Sequence, residues 1–211
     1  TKKKKIFSFF LNMGTKQTLI AGVDEVGKGS LFGPVFAGAV ILNKSNELKL
    51  LNEGLKDSKK LSFRQRNTLV PLIKKHSIEW SIGQASAREI DSEGIRKATE
   101  KAMIRALEKL SSQPELILVD GVLPIRLWTG KQKTKIKGED HFPAIAAASV
   151  LAKEARDELI KRLAKKYSLY ELDKNKGYGT ELHRNILIKK GATKLHRKSF
   201  LSKLNIPKLI N

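Results

Sequence analysis

Thr18-Leu19-Ile20-Ala21-Gly22-Val23-Asp24-Glu25-Val26-Gly27-Lys28-Gly29-Ser30-Leu31-Phe32-Gly33-Pro34-Val35 decides how this chain is read. Its first half is an apolar run ending in two adjacent carboxylates, the pattern of a buried strand. Its second half is a glycine-punctuated turn carrying one cation, and the apolar run from Val35 to Leu42 reads as a second strand. Side chains alternate along a strand, so Asp24 and Glu25 point to opposite faces while the strand stays regular. Two carboxylates this close repel each other unless a proton or a cation lies between them. A hard divalent ion such as Mg²⁺ suits them, because it takes oxygen ligands and keeps several waters. Glycines at 27, 29 and 33 permit positive φ and let the backbone approach a phosphate or a sugar. An Asp-Glu pair alone is commonly just solvated; strand, acids, turn and strand together point to a site.

The 211 residues suffice for one sizeable core, and a single domain is expected over 18–211. A formal net charge of +21 implies a polyanionic partner, nucleic acid before anionic membrane. No apolar run approaches the length of a spanning helix, so no membrane partner is expected. The chain contains no cysteine, which excludes disulfides and thiolate metal sites. Residues 1–17 read as a basic tail. Lys2–Lys5 followed by Ile6–Leu11 imitates a signal peptide, but Asn12 interrupts the short apolar core and no small-residue cleavage site follows. Met13 is a candidate natural start, and a cytoplasmic protein is expected.

Ser62 is a good N-cap for a basic helix over Phe63–His76, with Ser58, Lys59 and Lys60 just ahead of it. Those lysines can meet phosphates, or form a solvated loop. A third strand is expected over Ile78–Ser86, then one or two helices over Arg88–Leu110 with a break at Gly94. Glu115–Asp120 is a short apolar strand that delivers one acid to a glycine turn, as Asp24 is delivered, and Asp120 also suits a plain turn cap. Gly130–Lys137 reads as extended. Glu139 and Asp140 then stand at the N-terminal end of a long alanine-rich helix, where acids favour the helix start and can also hold a cation with the strand acids. Asp157, on the same helix, lies eighteen residues beyond Glu139, ~27 Å of continuous helix, so it is expected to be structural, with a Lys or Arg partner. Tyr178 sits between glycines in a basic loop, as an aromatic face for a sugar or base or as cover for a core edge. Thr180 caps a helix running to about Lys190. His196-Arg197-Lys198-Ser199-Phe200 reads as a further duplex contact.

Together these motifs resemble the type 2 ribonucleases H (ribonuclease HII). The likeness covers roughly Leu19–Leu204: Asp-Glu-Val-Gly, Asp-Ser-Lys-Lys-Leu-Ser, Val-Asp-Gly, Lys-Gly-acid before the alanine-rich helix, Lys-Gly-Tyr-Gly-Thr and His-Arg-Lys-Ser-Phe, in order. The resemblance implies a ribonuclease H-like α/β fold: a five-stranded mixed sheet flanked by helices, with a C-terminal helical extension. It implies an endonuclease, acting as a monomer, that cuts RNA in RNA/DNA hybrids and isolated ribonucleotides in duplex DNA, leaving 3′-hydroxyl and 5′-phosphate ends. By position, Asp24, Glu25 and Asp120 match three of the family's four catalytic acids. The fourth, usually Asp, is Glu139 here with Asp140 directly behind, and both stay open as ligands. Two Mg²⁺ or Mn²⁺ ions are implied at these acids. Gly27, Lys28, Gly29 and Tyr178 match the groups that read the ribose-to-deoxyribose junction, and Ser58, Lys59 and Lys60 the substrate-facing side. Lys28 replaces the usual Arg, keeping the charge and losing the planar fork.

Glu139 and Phe32 also resemble the type 3 ribonucleases H, whose action on hybrids without junction preference is the alternative. A non-catalytic nucleic-acid-binding module would explain the net charge equally well, but it leaves three acids at strand and helix ends unexplained. A DNA nuclease or integrase on the same fold is a further rival.

Overall fold

The computed structural model describes residues 18–202. The basic tail 1–17 lies outside the described residues. Five strands form one sheet in the order β3-β2-β1-β4-β5. Here β1 is Ile20–Val26, β2 Val35–Ile41, β3 Glu79–Ala85, β4 Leu116–Asp120 and β5 Gln132–Lys135. The first three form an antiparallel meander; β4 and β5 run parallel to β1, giving the expected mixed sheet.

Every residue of β2 is buried, so the sheet is covered on both faces. Helix α3 (Ala87–Leu107) covers one face and α5 (Pro143–Lys166) the other. On the meander side, α1 (Lys44–Asn52) and α2 (Phe63–His76) pack beside α5, contributing Leu50, Leu69 and Ile73 to its core cluster. Ser62 and Gln65 form a reciprocal capping box at the start of α2, and Ser86 and Glu89 do the same for α3. Gly94, at φ 83° and ψ 154°, breaks α3 where the break was expected.

Helix α5 lies unusually close to the sheet. A Cβ on Gly22 would stand 2.2 Å from the Ala144 carbonyl carbon, and one on Gly38 would stand 2.4 Å from the Ala148 oxygen. Small residues on both surfaces permit that approach, which is what the run Ala146-Ala147-Ala148 supplies.

Glu139 and Asp140 do not open the long helix. They belong to a separate turn, α4 (Gly138–His141), and Phe142 between α4 and α5 is extended at φ −122° and ψ 106°. Pro143 explains the break, since a proline disfavours the α conformation in the residue before it. Beyond α5, a 3₁₀ turn (Ser168–Tyr170), α6 (Leu172–Asn175), α7 (Glu181–Lys190) and α8 (Lys198–Leu201) form the C-terminal extension. Its small core joins Tyr170, Leu172, Leu187 and Leu201 to Leu31 and Phe32 of the glycine loop. The extension is thus the floor of that loop.

Gly22→Ala inserts a methyl group against backbone, which cannot swing aside. A loss of about 1–3 kcal/mol or more is expected on urea unfolding. A variant within 0.5 kcal/mol of the parent would contradict so tight a helix–sheet contact.

Candidate active site

Asp24 and Glu25 occupy successive positions of β1 and therefore face opposite sides of the sheet. Asp24 shares its face with Gly22, the α5 side, and is buried at 5 % exposure. Glu25 opens on the α3 side, into a cavity of ~280 Å³ that it lines with Lys28, Arg96, Glu100 and Asp120. Parallel pairing of Val23 with Val119 brings Asp120 alongside Asp24, one residue further along both strands. The Gly138 N–H donates to Asp120 Oδ1 at 2.8 Å, pinning α4 to the end of β4. This bond carries Glu139 to the strand acids.

Glu139 stands with its carboxyl against that of Asp120. Burial raises its pKa, and the Asp120 carboxyl close beside it raises it further. Its Oε1 lies 3.7 Å from Lys59 Nζ, while its buried Oε2 has no partner. Asp140 is turned the other way, its carboxylate paired with Lys60, which lowers its pKa. Asp24 is held well above the usual carboxylate range, first by burial, then by the negative charges of Glu25 and Asp120. A hydrogen bond from Ser149 and the Glu25 N–H at 2.7 Å offset part of this.

Ser58, expected on the substrate-facing side, is buried with its hydroxyl 2.8 Å from that of Ser149. Its side chain therefore supports the residue that supports Asp24, and it does not meet solvent. Asp157 is structural, as expected: Arg66 Nη2 donates to it at 3.1 Å and Lys153 Nζ at 2.6 Å, joining α2 to α5.

Gly27, at φ 85°, opens the glycine turn, which the Ser30 N–H closes on the Gly27 carbonyl at 3.2 Å. Lys28 Nζ lies 3.2 Å from Glu25 Oε1 and Gly29 is exposed. The half-buried Tyr178 is brought to the same place by a backbone bridge to Ser30. The structure thus assembles Asp24, Glu25, Asp120 and Glu139 beside Gly27, Lys28, Gly29 and Tyr178, with Lys59 and Lys60 across α4.

The sequence reading missed the residues beneath this surface. Arg156 is fully buried, bonds Ser30 Oγ at 2.7 Å and the Lys176 carbonyl at 3.1 Å, and lies 5.3 Å below the Tyr178 ring. Arg197, expected on the duplex, is also fully buried and donates to the carbonyls of Gly33 and Lys28, each at 2.9 Å. His196 is buried beside it, so this half of the His-Arg-Lys-Ser-Phe motif cannot reach a duplex; the N–H groups of Lys198 and Ser199 are held by Asp91. Only the lack of an acid near Arg197 in sequence hinted at carbonyl partners.

Among the described residues, no three acids or histidines are gathered into a ready-made ion cage. Glu25 and Glu139 lean on Lys28 and Lys59 instead. The donor set nevertheless fits a hard divalent cation: all oxygens, one orphaned in Glu139, and a buried Asp24 that its neighbours drive towards protonation. Because the Asp24 pKa is raised on folding, its stabilising contribution is complete below about pH 4 and is lost as pH rises through the folded value. Asp24→Asn without divalent ions should therefore melt above the parent at pH 7, with the gap closing towards pH 4. A parent that melts higher at pH 7 would overturn this reading of the charge.

Comparison with known proteins agrees with this geometry. The family model described as Ribonuclease HII matches residues 21–203. A ribonuclease HII of Prochlorococcus marinus (strain NATL1A) is 77% identical over 190 residues, covering 90% of this chain and 97% of that protein. The crystal structure of the ribonuclease H2 from Pyrococcus horikoshii OT3 superposes with a TM-score of 0.74 at 25% identity, covering 88% of this chain and 96% of the other. Bst-RNase HIII, solved in complex with Mn²⁺, shares the fold at a TM-score of 0.68 and 19% identity, covering 89% of this chain and 70% of the other. With a family model spanning nearly all the described residues and a relative of such high identity, the chain belongs to the ribonuclease HII family and is a ribonuclease H.

Proposed function

We propose that this ribonuclease H is a metal-dependent endonuclease that cuts the RNA strand of RNA/DNA hybrids and the 5′ side of single ribonucleotides in duplex DNA. It leaves 3′-hydroxyl and 5′-phosphate ends, and it serves ribonucleotide and RNA-primer removal in the cytoplasm as a monomer. One observation carries the reading: four acids at strand and turn ends share one end of the sheet with a glycine loop to which a tyrosine is bridged. The acids suit phosphoryl transfer, and the loop and ring suit the recognition of a sugar.

Asp24, Glu25, Asp120 and Glu139 would hold Mg²⁺ or Mn²⁺, as a pair of ions. Bound there, the ions supply Lewis-acid stabilisation of phosphate charge and lower the pKa of an attacking water. Glu139 is favoured over Asp140 as the fourth acid, because its carboxyl lies beside that of Asp120 and keeps an unpartnered oxygen, whereas Asp140 is paired with Lys60. The Mn²⁺ complex of Bst-RNase HIII supports a divalent ion on this fold.

The chain's own residues position the substrate. Backbone groups of Gly27, Lys28 and Gly29 come close enough to meet the ribose 2′-hydroxyl, the group that separates RNA from DNA. The Tyr178 ring packs against the neighbouring deoxyribose. Lys28, Lys59 and Lys60 are exposed cations for phosphates, and Lys28 leaves Glu25 when a phosphate arrives. Lys28 offers a point charge where a guanidinium would hold a phosphate in two places, so junction preference is retained but weakened. Phe32, the feature shared with type 3 enzymes, is buried against Tyr167 and His196 and offers nothing to a substrate.

The test compares a labelled DNA duplex carrying one ribonucleotide, an RNA/DNA hybrid and an all-DNA duplex, each with Mg²⁺, Mn²⁺ or EDTA. Metal-dependent cutting on the 5′ side of the lone ribonucleotide is expected, with the DNA duplex intact. Cutting of the hybrid alone would move the reading to type 3 behaviour. Binding without cutting would leave a nucleic-acid-binding module. In the same assay Lys28→Arg should raise the ratio of junction to mid-RNA cutting by a few-fold, the scale of one charge-assisted hydrogen bond. An unchanged ratio would mean that Lys28 does not touch the phosphate.

A further inference from the structure

His183, in the first turn of α7, and His196 are both fully buried, and their Nε2 atoms are 3.2 Å apart. The outer nitrogens fix where the protons lie. The Thr193 N–H, which can only donate, points at His196 Nδ1 at 2.9 Å. That nitrogen is therefore bare, and the His196 proton is on Nε2. It is donated to His183 Nε2, which must be bare in turn. The His183 proton is then on Nδ1, 2.9 Å from the carbonyl oxygen of Tyr178, which can only accept. The result is a one-way chain, Thr193 N–H to His196 to His183 to Tyr178 C=O, complete only while both rings are neutral. Burial keeps them so: it lowers the pKa of His183, and burial together with His183 pushes His196 down to about 3.

The chain closes a ring around the glycine loop. On one side of that loop the Leu31 N–H donates to the Gly177 carbonyl at 2.8 Å, and Ser30 bridges Tyr178. On the other side the Arg197 N–H donates to the Leu31 carbonyl at 2.8 Å, the Gly33 N–H donates to Leu195 at 2.9 Å, and Phe32 bridges His196. Residues Ser30–Gly33 thus lie between the Tyr178 segment and the His196 segment. The imidazole pair ties those two outer segments together from beneath.

We propose that His183 and His196 are positioning residues for Tyr178: their hydrogen-bond chain sets the Tyr178 backbone, and hence its ring, against the Gly27–Gly29 loop, so that selectivity for a lone ribonucleotide depends on the pair. This rests on Tyr178 and the glycine loop being the junction reader. Neither histidine touches substrate. Hydrolysis within a long hybrid, where many registers are productive, depends on the pair less.

Two isosteres separate the halves of the chain. His183→Asn keeps an N–H donor at the Nδ1 position and loses the Nε2 contact; His183→Gln reaches His196 and loses the donor to Tyr178. Rates are measured as kcat/KM on the single-ribonucleotide duplex and on the hybrid, beside melting temperatures. His183→Gln should lose about tenfold on the single-ribonucleotide duplex, the scale of one buried hydrogen bond, while staying within about threefold on the hybrid. His183→Asn, which keeps the donor to Tyr178 and breaks the link to His196, should recover only part of that loss; recovery to the parent rate would overturn the role of His196. Equal losses on both substrates that follow melting temperature would overturn the proposal and leave the pair a core contact. A parent that cuts the hybrid but not the lone ribonucleotide would overturn the junction reading itself, and this proposal with it. A measurement on the unaltered protein stands if the variants do not fold. In ¹⁵N-histidine spectra two neutral rings of opposite tautomer are expected, with His183 Nδ1–H shifting when the single-ribonucleotide duplex binds in EDTA and not when all-DNA duplex binds. Equal shifts with both duplexes, or two rings of one tautomer, would overturn it.

Discussion

Repulsion among carboxylates at one end of the sheet is the constraint on which the rest of this structure depends. Asp24 is buried, Glu25 and Asp120 act on it, and Glu139 lies against Asp120. Like charges removed from water are among the least favourable arrangements a protein holds. Here they are held by covalent sequence and by register: two acids are consecutive, the third is placed by parallel pairing, and the fourth by the Gly138 bond. Surface lysines relieve the charge from outside, but exposed pairs of this kind contribute little to stability. The cluster is therefore a cost that function explains and that packing elsewhere offsets.

That packing is unusually close where it matters. Glycines of β1 and β2 meet the alanine face of α5, so the helix backbone sits almost on the sheet. The same helix carries Ser149, which bonds Asp24, and Arg156, which holds the glycine loop. One rigid element thus sets the height of both the acids and the sugar-reading surface. A shift of α5 would therefore move chemistry and recognition together.

Much of this was legible in the sequence because it is local. Strand periodicity, the caps at Ser62 and Thr180 and the Gly94 break all follow from spacing within a few residues. Asp157 is set apart in sequence by eighteen residues read as continuous helix; that helix breaks at Phe142, and Arg66 and Lys153 hold Asp157 as a structural acid all the same. The five-stranded mixed sheet followed from the family resemblance, and the structure has it. What spacing could not reveal was direction. Lys28, Arg156 and Arg197 are all basic residues in a basic protein, yet one is exposed and two are fully buried. Nothing local distinguishes a guanidinium that will meet a phosphate from one that will meet carbonyls 20 to 169 residues away in sequence. Ser58 failed for the same reason, since its partner Ser149 lies 91 residues on. The separate turn holding Glu139 was readable in principle from Pro143, whose effect on the preceding residue is local.

The two buried guanidiniums also complete the electrostatic argument. Arg156 and Arg197 bond carbonyls and a serine hydroxyl, with no carboxylate among those partners. Burial lowers both pKa values, and Arg156 adds to the effect on Arg197, yet guanidinium starts so high that both stay charged at neutral pH. Two positive charges that no carboxylate among those partners bonds, offset only at longer range by Asp157 and Asp91, therefore lie beneath Gly27–Gly33. In a poorly screened interior such charges act over several residues. A phosphodiester approaching this edge meets attraction from the loop and repulsion from the acids, and a cation at the acids turns that repulsion into attraction. Recognition and metal binding are thus coupled by the placement of fixed charge, with no conformational change needed to connect them.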